Sequence, residues 1–296
     1  MVGIERYEKD ILQTITGGDS KLEGYLPGYG AWEGRMTGLV ALGGLVSLES
    51  MTHFRRYLIQ HGVDMAAISE QEMKSVRRLL SFRLGDERCA LPLSLVDRVE
   101  PLAQRIGAIN TVVVEADGSL TGKNTDAFGY LHSLQEAQPD WRADAGPAMV
   151  IGAGGAARAV LAALLDAGVP EVRLCNRSPE KAQALAEEFG SKVRAVAWEA
   201  RAQALADVAL LVNTTNQGMH GEPALDLDLS ALPPQALVSD IVYVPRLTPL
   251  LAAALARGNP VAYGLGMLIH QARAAFEAWF GVLPEATPAL LHDVQA

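Results

Sequence analysis

Residues 149–156 read Met-Val-Ile-Gly-Ala-Gly-Gly-Ala, an apolar run that ends in a glycine turn. An Ala/Leu-rich stretch, 157–167, follows directly, and a second apolar run, 171–175, comes after it. Strand, glycine turn, helix and strand in that order suit the pyrophosphate of a dinucleotide. Gly152, Gly154, Gly155 and Ala156 let the backbone come close to phosphate, while the next helix offers free N–H groups and the positive end of its dipole. A glycine turn in an ordinary α/β unit is the alternative, and only the flanking strands weigh against it.

The segment after the second strand narrows the cofactor. A site selective for NAD carries Asp or Glu there, to bond the ribose 2′-hydroxyl. This chain reads Cys175-Asn176-Arg177-Ser178-Pro179-Glu180-Lys181 instead. Arg177 presents a planar cationic fork that matches a 2′-phosphate, and Lys181 adds charge one helical turn later. An acidic side chain would repel that phosphate, so the segment from Asn176 through Ser178 to Lys181 predicts NADP. A solvated Arg and Lys at a helix start is the competing view.

A third group lies upstream. Gly107-Ala108-Ile109-Asn110-Thr111 precedes a strand, and Gly122-Lys123-Asn124-Thr125-Asp126 follows its hairpin return. This spacing predicts Asn110 and Asp126 together at the edge of an interdomain cleft. Short hydrogen-bonding side chains there suit a polyol, and alcohol oxidation needs a proton carrier nearby. Asn-Thr-Asp is also good helix-capping chemistry, which is the structural alternative for Asp126.

These groups need elements to hold them. Strands are expected at 39–45, 89–93 and 110–114, with Asp117-Gly118 as a hairpin turn. Helices are expected at 52–60, 71–84 and 96–106, the last with Val99, Leu102, Ala103 and Ile106 on one face. That alternation predicts a mostly parallel sheet in the first half. The second half places strands at 148–151, 171–175, 192–197, 208–213 and 237–242, with helices between them and a last long helix at 266–280. The fold expected is two-domain α/β: a Rossmann-type doubly wound NADP domain over 131–267, and a smaller α/β substrate domain over 1–130, joined by the C-terminal helix 268–296.

Composition sets the outer limits. At 296 residues, 49% hydrophobic and 20% charged, the chain is globular and long enough for two domains. A net charge of −9 argues against a nucleic-acid surface. Two cysteines, Cys89 and Cys175, make no disulfide framework, and no Cys/His spacing suggests a metal. Met1 is followed by Glu5, Glu8, Lys9 and Asp10, unlike a secretory signal, and the apolar run 38–48 is too short to span a bilayer. These features predict a cytoplasmic protein acting on a small molecule, with no membrane or nucleic-acid partner and with a homodimer as an assembly open to it. Residues 1–36 receive no role.

The chain resembles the shikimate dehydrogenase family. The matching stretches are GAINTVVVEADGSLTGKNTDAFGYL (107–131), MVIGAGGAARAV (149–160), NRSPEKA (176–182), VNTTNQGM (212–219), DIVYVPRLTPLL (240–251) and YGLGMLIHQARAAFEAW (263–279). They cover roughly residues 96–282 in the expected order. The resemblance implies hydride transfer between NADP(H) and a hydroxylated ring acid such as shikimate, in aromatic amino-acid biosynthesis. It implies that Asn110 and Asp126 hold substrate hydroxyls, with Asp126 in the proton-transfer machinery. Tyr243 and Gln271 match positions that contact substrate from the cofactor side; core packing and a satisfied helix amide are their structural alternatives. Thr214, Thr215 and Asn216 fall on the adenosine-ribose side, and Gly264 and Met267 near the nicotinamide. Asn216 stands where proline or serine is more usual.

The substrate half departs from the family pattern. The family carries a lysine in an Asn-Val-Thr-x-Pro-x-Lys type segment before Gly107; here that region reads Arg88-Cys89-Ala90-Leu91-Pro92-Leu93-Ser94-Leu95-Val96, and no lysine stands between Lys74 and Lys123. Arg88 and Arg98 cannot donate the proton, because a guanidinium stays charged. Lys123 reads as solvated. The Ser-x-Ser-Pro type turn is blurred to Ser47-Leu48-Glu49-Ser50-Met51, where Ser47 and Ser50 can still offer hydroxyls to a carboxylate, or Ser50 can cap a helix. Three activities stay open: a dehydrogenase of the shikimate type, a diverged NADPH-dependent reductase of another small carbonyl or imine, or a catalytically silent nucleotide-binding regulator.

Overall fold

The computed structural model describes residues 96–116 and 119–286, together with strand backbone at 39–40, 79–84 and 87–92. The chain divides into two compact units. One gathers Met1–Ala103, Ile109–Lys123 and Ala275–Ala296; the other gathers Gln104–Ala108 and Asn124–Ala274.

In the first unit, β1 (Leu39–Val40), β4 (Arg98–Val99), β5 (Thr111–Val114) and β6 (Leu120–Lys123) form one sheet in the order β1-β5-β6-β4. Pairs β1–β5 and β5–β6 are antiparallel and only β4–β6 is parallel, so the sheet is mixed rather than mostly parallel. The reason is the short return at 115–119, closed by Glu115 N–H to the Ser119 carbonyl at 2.8 Å, which leaves no room for a crossover helix. Two further expectations need correction. Residues 79–84 are not helical: β2 (Leu79–Leu84) pairs antiparallel with β3 (Glu87–Pro92), and cross-strand bonding overrides the helical spacing of its apolar residues. The helix expected from 96 begins later, as α1 (Pro101–Ile106), because proline disfavours helical geometry at Glu100 and suits the first helical position itself. The expected strand 41–45 and helix 52–60 lie outside the described residues.

The second unit is built on six parallel strands. These are β7 (Ala148–Ile151), β8 (Val172–Cys175), β9 (Val193–Val196), β10 (Leu210–Asn213), β11 (Leu237–Asp240) and β12 (Val261–Ala262), in the order β12-β11-β10-β7-β8-β9. Every neighbouring pair is parallel. The central strands β7, β10 and β11 are buried along their whole length, which explains why they read as unbroken apolar runs. Met149, Ile151, Leu211 and Val238 point to one face, where they meet Leu229, Leu232, Leu250 and Leu251.

The helices of this unit are α2 (Asp126–Ala137), α3 (Gly155–Ala167), α4 (Pro179–Phe189) and α5 (Pro249–Ala256), with α6 (Gly264–Phe280) last. Proline occupies the first position of α4 and α5, where its missing N–H costs nothing. Gly168 closes α3 in a left-handed conformation, φ 96°. Segment Gln104–Ala108 belongs here because arginines staple it to α3: Arg105 pairs with Asp166 at 2.6 Å and donates to the Ala162 carbonyl, while Arg158 donates to the Ile106 carbonyl. Residues of α6 up to Ala274 lie in this unit and those from Ala275 in the other. There Trp279 Nε1 donates to the Val112 carbonyl at 3.0 Å.

Candidate active site

The strand order reverses direction between β7 and β10, and a doubly wound sheet opens a crevice at that point, at the carboxyl ends of the strands. The loops after β7 and β10 meet there. Gly152 has φ +112°, and a methyl group on it would lie 2.5 Å from Thr214 Oγ1 and 3.0 Å from Thr215 Cγ2. Thr214 is held in that position by its backbone N–H and its hydroxyl, both donating to the Ile151 carbonyl at 2.8 Å. Gly154 and Gly155 differ from Gly152: a methyl on either would meet nothing within 4 Å. They are exposed, with Ala156 half-buried beside them at the start of α3. The turn is therefore packed underneath and open above, as an approaching phosphate requires.

Beyond β8, Asn176 donates to the Ser178 carbonyl at 3.0 Å, which shapes the turn into α4. Arg177 and Lys181 are exposed and make no ion pair or side-chain hydrogen bond among the described residues. Neighbouring arginines behave otherwise. Arg173 bonds Glu171 at 2.8 Å and also bonds Asp207, and Arg158 bonds Glu188. Those guanidinium groups hold Glu171, Asp207 and Glu188 below the usual carboxylate range, mainly by hydrogen bonding. Two unpartnered cations beside a glycine turn fit a 2′-phosphate.

Asp126 is the first residue of α2 and half-buried. The turn ahead of it is closed by Asn124, whose Oδ1 accepts from the Asp126 N–H at 2.9 Å, and whose Nδ2 donates to the Ala108 carbonyl at 3.2 Å. Asn124 thus closes the turn into α2, and its Nδ2 also donates to Asp126 Oδ2 at 3.4 Å. One turn along α2, Gly129 allows a close helix crossing. A methyl there would lie 2.7 Å from the Gln271 N and Cβ atoms and from the Met267 carbonyl oxygen. Gly129 thereby sets α6 against the helix that Asp126 opens. Met267 is buried, and the half-buried Gln271 makes no side-chain hydrogen bond among the described residues.

Next to Gln271, His270 is buried between two charges. Arg273 donates to its Nδ1 at 2.7 Å, and its Nε2 lies 3.1 Å from Glu136 Oε2. A guanidinium can only donate, so Nδ1 accepts and the proton sits on Nε2. Burial, the largest influence, lowers the His270 pKa, with Glu136 opposing it.

Gly264 starts α6 against the backbone after β11: a methyl on it would come within 2.5 Å of the Ile241 carbonyl and the Val242 oxygen. Tyr243, next along that segment, is 46% exposed, which removes core packing as its role. Thr215 is half-buried and Asn216 exposed.

In the first unit, Asn110 N–H donates to the Lys123 carbonyl at 3.1 Å, and its Oδ1 accepts from the Thr111 hydroxyl at 3.0 Å. Lys123 is not simply solvated: it pairs with Glu100 at 2.8 Å. Arg98 donates to Ser119 at 3.1 Å. Ser47, Ser50 and the side chains of 88–95 lie outside the described residues.

Sequence reasoning missed Gly129 and a buried pair, Asn213 and Asp240. Asn213 donates to Asp240 at 3.0 Å; Val242 N–H and the Thr248 hydroxyl also donate to that carboxylate, at 3.0 and 2.7 Å. Burial, the largest influence, pushes the Asp240 pKa up, and the three donors oppose it. The available signal was a polar residue ending each apolar run, LLVN and LVSD. Among the described residues, no group of three or more His, Cys, Asp or Glu could hold a metal ion, and no helix is long and apolar enough to cross a membrane.

The chain is similar in sequence and fold to known proteins. The Shikimate / quinate 5-dehydrogenase family model matches residues 135–220, and that of the Shikimate 5′-dehydrogenase C-terminal domain matches 264–288. A Shikimate dehydrogenase (NADP(+)) from Paramagnetospirillum magneticum is 52% identical over 245 residues, 79% of this chain and 88% of the relative. One from Rhodospirillum rubrum is 47% identical over 248 residues, again 79% of this chain and 88% of the relative. Among solved structures, shikimate 5-dehydrogenase from Thermus thermophilus, in complex with NADP(H) and shikimate, superposes with TM-score 0.60 at 37% identity, covering 84% of this chain and 94% of that one. Quinate dehydrogenase from Corynebacterium glutamicum, in complex with NAD, gives TM-score 0.62 at 34% identity, covering 69% and 72%.

Proposed function

The chain belongs to the shikimate dehydrogenase family, and from that premise we propose that it is an NADP-dependent oxidoreductase interconverting a ring carbinol and a ring ketone on an acid such as shikimate. One observation carries the cofactor: the open glycine turn at the sheet's reversal point, with Arg177 and Lys181 unpartnered beyond the next strand. Family membership carries the substrate class.

When bound, NADP(H) supplies hydride exchange with the carbinol carbon. This chain's residues bind, orient and move the proton. Gly152, Gly154, Gly155 and Ala156 receive the pyrophosphate, and Asn176, Arg177, Ser178 and Lys181 the 2′-phosphate. Thr214, Thr215 and Asn216 lie along the adenosine ribose, with Gly264 and Met267 toward the nicotinamide. Asn110 and Asp126 hold substrate hydroxyls. In oxidation the Asp126 carboxylate takes the proton from the reacting hydroxyl as the carbon–hydrogen bond breaks; in reduction it returns that proton. Tyr243 and Gln271 hold the substrate from the cofactor side, and Ser47 and Ser50 offer hydroxyls to its carboxylate. We assign substrate binding chiefly to residues 1–130, joined by the C-terminal segment 268–296, and NADP binding to residues 131–267, from which Tyr243 reaches the substrate. A cytoplasmic setting and a homodimeric assembly belong to the same proposal.

The stretch between Lys74 and Lys123 contains no lysine, so Asp126 works without the ammonium partner expected from that region. A missing proton-transfer partner lowers rate by about 10²–10⁴-fold. The test follows NADPH absorbance with NADP+ and shikimate or quinate, then with NADPH and a panel of keto acids and imines. Oxidation of the ring acids supports the proposal. Turnover confined to the other carbonyls, or NADPH binding without any turnover, contradicts it.

A further inference from the structure

Asp240, Asn213 and Thr248 are each fully buried. An ionised carboxylate in that position is costly unless its acceptor sites are used, and breaking one of its pairs leaves a buried group unsatisfied. Its three donors come from two segments, the end of β10 and the loop 241–248. Asn213 ends β10, Val242 directly precedes Tyr243, and Thr248 caps α5, where its hydroxyl oxygen also accepts from the Leu251 N–H at 3.3 Å.

Asn213 carries the arrangement onward. The remaining proton of its amide goes to the Gln217 carbonyl at 3.1 Å, and its Oδ1 accepts from the Thr215 N–H at 3.1 Å and the Thr215 hydroxyl at 2.7 Å. Both protons and both lone pairs are used, and a flipped amide would set like against like at the Gln217 carbonyl, the Asp240 carboxylate and the Thr215 N–H. Thr215 Oγ1 in turn accepts from the Gln217 N–H at 3.1 Å. The adjacent Thr214 fills the space under Gly152, bonded to the Ile151 carbonyl. One chain of contacts thus runs from Asp240 through Asn213 to the floor of the glycine turn. A second runs through Val242 to the backbone that carries Tyr243 and against which Gly264 packs.

We propose that Asp240 is a positioning residue for the NADP-dependent reaction, fixing the 213–217 loop and the 241–248 loop in one register through Asn213 and Val242. The inference rests on the enzymatic reading above. It assigns to Asp240 an effect on cofactor and substrate binding that exceeds its effect on stability.

The experiment measures NADPH dissociation constants by cofactor fluorescence, steady-state constants with NADP+ and shikimate, and Tm, all on the full chain. Asp240→Ala is compared with wild type and with Arg173→Met, which loses ion pairs to Glu171 and Asp207 and serves as a control for general destabilisation. Asp240→Ala is expected to raise the NADPH Kd and both KM values about tenfold, with kcat falling less than about threefold, as loss of one buried charged hydrogen-bond centre allows. Arg173→Met is expected to lower Tm with Kd and KM unchanged. Should Asp240→Ala fail to fold, Asn213→Ala breaks the same chain one link later and is expected to raise the NADPH Kd alone. A folded variant of either kind that binds NADPH as a working wild type does overturns the inference. A wild type that neither binds NADPH nor oxidises shikimate overturns the enzymatic reading, and this inference with it.

Discussion

At the scale of single residues, Arg177 carries the cofactor preference. It is exposed and unpartnered among the described residues, while Arg158 and Arg173 are committed to carboxylates. Arg177→Ala is expected to weaken NADPH binding by about 10–100-fold, the worth of charge-assisted bonds to one phosphate, and to leave NADH binding nearly unchanged. Parallel titrations of the two nucleotides check this, and equal losses would remove Arg177 from the 2′-phosphate. Arg177 and Lys181 were legible in the sequence because their chemistry is written in side-chain type and in distance from a strand end. Asp240 and Asn213 were not. They stand 27 positions apart and meet only because β10 and β11 pair with Asn213 opposite Asp240. Strand register is not visible in a sequence that reads as two separate apolar runs.

At the scale of elements, the crossing of α2 and α6 has no slack at Gly129. A methyl there meets backbone atoms 2.7 Å away, and backbone cannot swing aside as a side chain can. Gly129→Ala is expected to cost about 1–3 kcal/mol of stability and to lower kcat/KM as well, because Gln271 moves with the helix. Thermal melts and steady-state kinetics check it; unchanged values in both would mean that the crossing is loose. The sheet gives a pH prediction. Arg173 on β8 holds Glu171 and Asp207 below their ordinary range. For carboxylates with depressed folded pKa values, the stabilisation is present above the unfolded pKa, about 4, and is lost as pH falls through the folded values. Arg173→Met is therefore expected to melt about 2–4 °C lower at pH 7, with the gap to wild type closing on acidification. A gap that stays constant down to pH 3 would contradict the assignment. Parallel strands were legible as apolar runs because burial on both faces removes polar positions. The start of α1 was misplaced because its apolar spacing continues across Pro101 into a strand, and Leu79–Leu84 because a partner strand, not local spacing, sets its conformation.

At the scale of the whole molecule, the chain folds as two units whose sequences interleave, since Gln104–Ala108 lies within the second while the residues on either side belong to the first. The parallel unit was readable almost entirely, because strand, turn and helix repeat in one order and each turn carries its own chemistry. The mixed sheet of the other unit was harder, because antiparallel return and parallel crossover both begin with a short apolar run. The account turns on Asp126 acting as proton carrier in a shikimate-type dehydrogenase. The most direct measurement is NADP+-dependent shikimate oxidation by wild type and Asp126→Asn, with NADPH affinity measured on both. The account predicts turnover in the wild type, a loss of at least about 10²-fold in kcat for the variant, and the same NADPH affinity in each. Equal turnover in the two proteins, or none in a wild type that binds NADPH, would contradict it.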